Sequence, residues 1–288
     1  MALNKTSKKT SRKTKKVSRR PHVATVHHKP HDRPHADPPS FGRTRVVIFD
    51  VEGTLVDSAF PTLLCWQEIL REYQFDFSTA ELHHFSGLGS ADMLSCLLPA
   101  DVDTATRKEM ASRQEELYKT KYLPTVTTLP RIPALIERLK AADIQVALAT
   151  TTDREMLDHY LGIAGCAADL FDAVACGSDA DRTKPDPQLL HIALRRLSLR
   201  ASPRIVGVGD SPYDAEAALA CGIVPVGVLT GYFSRPDLVA AGCSAVCKDA
   251  AALALLLDLP EAKARPAADK TLPQDQLTGA RTSSSAHP

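Results

Sequence analysis

Apolar residues fall in short unbroken runs through the middle of the chain. Val46, Val47, Ile48 and Phe49 form the first run, which stops at Asp50. Further runs cover residues 144–149, 173–176, 205–208, 223–228 and 245–247. Runs that are apolar at every position suit strands covered on both faces, as in a parallel sheet. Stretches with apolar residues at helical spacing lie between them, at 132–142, 187–197 and 212–220. Thr152 to Glu155 has the spacing of a capping box, opening another helix through Leu161. Strand–helix alternation of this kind predicts a doubly wound, Rossmann-like α/β sheet.

The first two strands are far apart. Between them only helical patterns occur, at 61–73, 79–84, 90–98 and 103–122. A helical cap is therefore expected after the first strand. It would cover the carboxyl edge of the sheet, where open α/β sheets bind ligands. The expected division is a core of 43–57 plus 127–258, with a cap of 58–126.

Charge separates the ends from this body. Residues 1–45 hold 13 Lys and Arg against two Asp, leaving 22 against 32 for the rest. The run at 5–20 has one sizeable apolar residue, Val17, and reads as disordered within a basic arm of 1–42. Clustered Lys and Arg can contact nucleic acid or another anionic surface, and the absence of aromatic residues makes any such contact unspecific. His22, His27, His28, His31 and His35 alternate with prolines in an extended linker. The polar tail at 259–288 also reads as disordered.

A run of about 18 apolar residues, the minimum for a membrane-spanning helix, is absent. The apolar stretch at 250–259 reads as a packed helix. Seven cysteines without a Cys-x-x-Cys pair suggest reduced thiols and a cytoplasmic setting. Nothing indicates the oligomeric state.

Polar residues cluster where the runs stop. Asp50 and Glu52 flank Val51, and an extended chain would point both carboxylates the same way. A carboxylate there can attack phosphorus, or can close a polar turn. Thr150, followed by Thr151 and Thr152, can hold an anionic oxygen beside backbone N–H groups, or cap the next helix. Lys184 lies in a Pro-bounded loop, as a point charge for a phosphoryl group or as a surface lysine. Asp210 and Asp214, four apart, suit a hard divalent cation such as Mg²⁺. Ser211 and Asp214 also have the spacing of a helix cap. Taken in order, the four clusters provide a nucleophile, an anion hole, a cation and a metal site.

The ordered set resembles the haloacid dehalogenase superfamily, in its phosphoglycolate-phosphatase-like and β-phosphoglucomutase-like branch. FDVEGTLVDS (49–58), ALATTT (147–152), TKPDP (183–187) and GVGDSPYDAEAA (207–218) look like its four motifs. The resemblance implies an Mg²⁺-dependent phosphatase acting on a small phosphorylated metabolite through an aspartyl-phosphate. Asp50 would be the nucleophile and Glu52 the general acid and base. Thr150, Thr151 and Lys184 would hold the phosphate. Asp50, the backbone carbonyl of Glu52, Asp210 and Asp214 would hold the metal. His84, Gly87, Leu88 and Gly89 would form the cap loop that meets substrate. The family usually has Asp where this chain has Glu52, so the chemistry is expected to persist, with the longer side chain a handicap if it misplaces the carboxyl. A phosphosugar mutase, and a weakly catalytic relative recruited to nucleic acid by its basic arm, remain alternatives. A metal-free haloacid dehalogenase is disfavoured by Glu52 and Asp210.

Overall fold

The computed structural model describes residues 41–261. The basic run, the His/Pro stretch and nearly all of the tail lie outside them.

In chain order the strands are β1 (Val46–Phe49), β2 (Val56–Asp57), β3 (Thr127–Thr128), β4 (Gln145–Ala149), β5 (Ala173–Ala175), β6 (Ile205–Gly209), β7 (Val224–Val228) and β8 (Ala245–Cys247). Six of them form one sheet in the order β5-β4-β1-β6-β7-β8, with parallel pairing throughout. The order steps outward from β1 in both directions, as a doubly wound fold requires.

Period-two alternation along β1 explains the layers. Val47 and Phe49 pack with Leu135, Leu157 and Leu253 on one face. These come from helices α5 (Ile132–Ala141), α6 (Arg154–Ala164) and α10 (Ala250–Leu256), named here in a chain-order numbering that starts with the cap. Val46 and Ile48 pack on the other face with Leu189 and Ala217, from α7 (Gln188–Arg196) and α8 (Pro212–Cys221). Burying each large aliphatic side chain contributes roughly 1.5–3 kcal/mol.

The cap contains α1 (Ala59–Glu72), α2 (Thr79–Leu82), α3 (Ser90–Leu97) and α4 (Thr104–Leu117). It has its own apolar centre, including Trp66, Ile69, Phe77, Phe85, Leu94 and Met110. Where the chain enters and leaves the cap, β2 and β3 pair antiparallel, Val56 opposite Thr128. No helix among the described residues is long and apolar enough to cross a membrane.

Four details differ from the sequence reading. The helix expected over 103–122 ends at Leu117, and a wider π turn carries Tyr118–Tyr122. The helix expected over 79–84 stops at Leu82, and a tight 3-10 turn follows at His83–Phe85. Asp153, not Thr152, caps α6, accepting from the Met156 N–H at 2.8 Å. A carboxylate is the stronger acceptor there, which releases the Thr152 hydroxyl. Helix α9 (Arg235–Ala240) was not anticipated, because Leu238 is its only buried side chain and so leaves no periodic signal.

Candidate active site

Sheet register gathers the polar clusters. Phe49 lies opposite Leu148 on one side and Val208 on the other. The residues that follow these strands, Asp50, Thr150 and Asp210, therefore emerge at the same edge. The Asp50 N–H donates to Val208 at 2.8 Å, and that of Thr150 to Ala175 at 3.0 Å, holding both at the strand ends.

Lys184 reaches this edge from the loop after β5. Its ammonium, 4 % exposed as a residue, donates to Asp50 Oδ1 at 2.7 Å and to Asp214 Oδ1 at 2.6 Å. Carboxylate oxygens of Asp50, Asp210 and Asp214 lie within 4.8 Å of one another. Asp214 also completes the cap of α8 by accepting from Ser211, which is the cap reading of its spacing, while its carboxylate stays within reach of those of Asp50 and Asp210. Gly53 adopts φ +70°, and a Cβ there would collide with the Asp210 carboxylate. Glycine thus provides both the turn after Asp50 and the space for Asp210.

Burial pushes the Asp50 carboxyl up to about 7; Lys184 pulls it down while Asp214 and Glu52 push further. Asp210 is likewise held well above the usual carboxylate range, chiefly by burial and then by Asp214 and Asp50. The Asp50 and Asp214 contacts hold the Lys184 ammonium protonated against its burial. Three closely placed carboxylates face one ammonium. When all three ionise, two negative charges are left uncompensated on a wholly oxygen donor set, which matches a hard divalent cation. Asp50, Asp210 and Asp214 therefore fit Mg²⁺.

The Glu52 side chain turns elsewhere. Thr152 Oγ1 donates to its Oε2 at 2.9 Å, and the Tyr160 hydroxyl donates to its Oε1 at 3.1 Å. Tyr160 in turn shares a 2.7 Å hydrogen bond with Tyr118, from the π turn that leaves the cap. Burial raises the Glu52 carboxyl above its ordinary range, and the two hydroxyl donors oppose that rise. Sequence reasoning missed this chain of hydroxyls. Tyr160 lies 108 residues from Glu52, and no local spacing marks such a partner.

Thr150 is fully buried, and its Oγ1 accepts from the Thr152 N–H at 3.2 Å. Thr151 lines the cavity beside Asp50, as do Gly87 and Leu88 of the cap. Gly89 lines a second, adjoining cavity. Gly87, at φ +97°, sits so close to α8 that a Cβ would meet Ser211 Oγ at 2.8 Å. His84, expected at the substrate, is on the wall of neither cavity. The 3-10 turn directs Phe85 into the cap centre, and the exposed His84 ring packs on His83 at 3.9 Å between centroids. Its carbonyl accepts from the Tyr213 hydroxyl at 2.6 Å, joining the cap to α8.

A family model described as haloacid dehalogenase-like hydrolase matches residues 47–228. A phosphoglycolate phosphatase of Yersinia pseudotuberculosis is 30% identical over 213 residues, covering 70% of this chain and 90% of that protein. The pyrophosphatase PpaX of Bacillus velezensis is 28% identical over 187 residues, covering 65% of this chain and 83% of that protein. Among solved structures, a hydrolase from Pseudomonas syringae aligns with a TM-score of 0.70 at 23% identity, covering 75% of this chain and 98% of that one. That last likeness concerns the fold alone.

Proposed function

The chain belongs to the haloacid dehalogenase-like hydrolases, and on that premise we propose that it is a Mg²⁺-dependent phosphatase of small phosphorylated metabolites that works through phosphorylated Asp50. Its relatives named as phosphoglycolate phosphatase and pyrophosphatase support hydrolysis at phosphorus. The observation that carries the reading is the meeting of Lys184 with Asp50 and Asp214 beside Asp210, from three segments of chain.

Asp50 attacks phosphorus, forming an Oδ–P bond as the P–O bond to the leaving alcohol breaks. Glu52 gives its proton to the departing oxygen, a role that suits a carboxyl raised by burial. The Glu52 carboxylate then takes a proton from water. The water oxygen bonds to phosphorus, the Asp50–phosphorus bond breaks, and phosphate leaves. Lys184 meets the negative charge of the phosphoryl oxygens, and Thr151 lines the cavity in which they lie. Thr150 braces the turn that places Thr151. A divalent cation held by Asp50, Asp210 and Asp214 supplies further charge neutralisation when bound. Thr152 and Tyr160 fix the direction of the longer Glu52 side chain.

Hydrolysis of p-nitrophenyl phosphate tests the reading. Chelation of divalent metal and Asp50→Asn are each expected to lower turnover by more than about a hundredfold. Wild-type turnover in Asp50→Asn contradicts it. Transfer of the phosphoryl group to an added sugar phosphate faster than to water would favour a mutase.

A further inference from the structure

Two cavities meet at Glu52. The inner one, about 60 Å³, is bordered by Asp50, Lys184, Asp210 and Asp214. The outer one, about 320 Å³, extends between the cap helices α1 and α4 and the start of α6. Both have Glu52 on their wall. A phosphoryl group at Asp50 fills the inner space. The leaving oxygen then lies at Glu52, and the rest of the ester extends into the outer chamber. Its volume is at the lower end of the range for small-molecule pockets, roughly 300–1,000 Å³.

The chamber's chemistry is selective. Apart from its tyrosines, its ionisable lining groups are all carboxylic acids: Glu115, Asp153, and Glu52, which on the phosphatase reading holds the proton it gives to the leaving oxygen. Among the described residues, no lysine, arginine or histidine borders it. Lys119 lies nearby, but its ammonium is engaged by Glu115 at 2.8 Å and by Glu155 at 3.0 Å. A second anionic group on the substrate would lose water here, gain no cation from the described walls and face the carboxylates of Glu115 and Asp153. The other walls offer the neutral polar residues Ser90, Ser112 and Gln114, with an edge of the buried Trp66 behind them. Hydroxyl and amide groups without a cation suit a hydroxyl-rich group that hydrogen-bonds to them.

We propose that the outer chamber receives the alcohol portion of the substrate, and that this portion is an uncharged, hydroxyl-rich sugar or cyclitol. The inference rests on the phosphatase reading above. It separates this chain from relatives named for phosphoglycolate and pyrophosphate, whose leaving groups carry negative charge.

The test is kcat/KM, with Mg²⁺ present, for hexose, pentose and inositol monophosphates against phosphoglycolate and pyrophosphate, with p-nitrophenyl phosphate as a common reference. The best sugar or inositol phosphate is expected to exceed both anionic substrates by at least about tenfold, a difference of about 1.4 kcal/mol. Phosphoglycolate or pyrophosphate equalling it would overturn the proposal while leaving the phosphatase reading intact. Failure of every compound, the reference included, removes the reading itself and the proposal with it. Glu115→Lys gives an independent check, since that side chain is 52% exposed and tolerates replacement. The ratio of phosphoglycolate to sugar phosphate kcat/KM should rise at least about tenfold; an unchanged ratio contradicts the charge argument.

Discussion

Glu52 carries one methylene more than aspartate, and three hydroxyl-bearing residues accommodate it. Thr152 and Tyr160 bind its two oxygens, and Tyr118 holds Tyr160. On the proposed mechanism, a carboxyl fixed in this way would serve as acid only from one direction, so small displacements would be costly. Tyr160→Phe is expected to lower kcat by roughly ten- to a hundredfold on an alkyl phosphate. The loss should be much smaller on p-nitrophenyl phosphate, whose leaving group needs little proton donation. Equal losses on both would mean that Tyr160 matters only for packing. The carboxylates and Lys184 were legible in the sequence because each ends an apolar run or precedes a helix. The hydroxyl chain was not, because Glu52 and Tyr160 lie 108 residues apart and meet only when β1 and α6 pack together. The resemblance that put His84 in the cap loop carries no information on which way the 3-10 turn directs its rings, and the imidazole lies off both cavity walls.

At the scale of elements, the edge strand β5 is short and is fastened at both ends by carboxylates. Asp172, just before it, bonds the Val146 N–H and pairs with Lys140 at 2.8 Å. Asp179, just after it, pairs with Arg196 at 2.7 Å and accepts from the Cys176 N–H. For Asp172, burial raises the carboxyl, but the Lys140 and Val146 hydrogen bonds outweigh it and leave it lowered. For Asp179, the Arg196 hydrogen bond leads in pulling it well below the usual range. A lowered native pKa contributes stability that is present above the unfolded value and lost as pH falls through the native one. Protection of the β5 amides, measured against their intrinsic exchange at the same pH, is therefore expected to fall below about pH 4, before protection in β1. Simultaneous loss of protection in both strands would contradict this. All six strands of the sheet were readable as apolar runs. The two-residue ribbon β2–β3 was not, since so short a pairing carries no alternation, nor was the π turn that breaks the long cap helix at Tyr118.

At the scale of the whole molecule, the folded chain gathers carboxylates that repel one another, and a bound divalent cation would relieve that repulsion. Mg²⁺ should therefore stabilise the fold. At about a hundred times its Kd the gain is about 2.7 kcal/mol, or several degrees in Tm for a chain of this size. Asp210→Asn should remove most of that shift. A Tm that ignores Mg²⁺, or an unchanged shift in the variant, would place the cation elsewhere. The same convergence of distant segments makes one chemical species decisive. Acid quenching during steady turnover of a phosphate monoester, followed by peptide mass analysis, should find a single phosphoryl group on the peptide containing Asp50, and none in Asp50→Asn. An enzyme that turns over substrate while that peptide stays unmodified, or that carries the phosphoryl group on another peptide, would contradict the account.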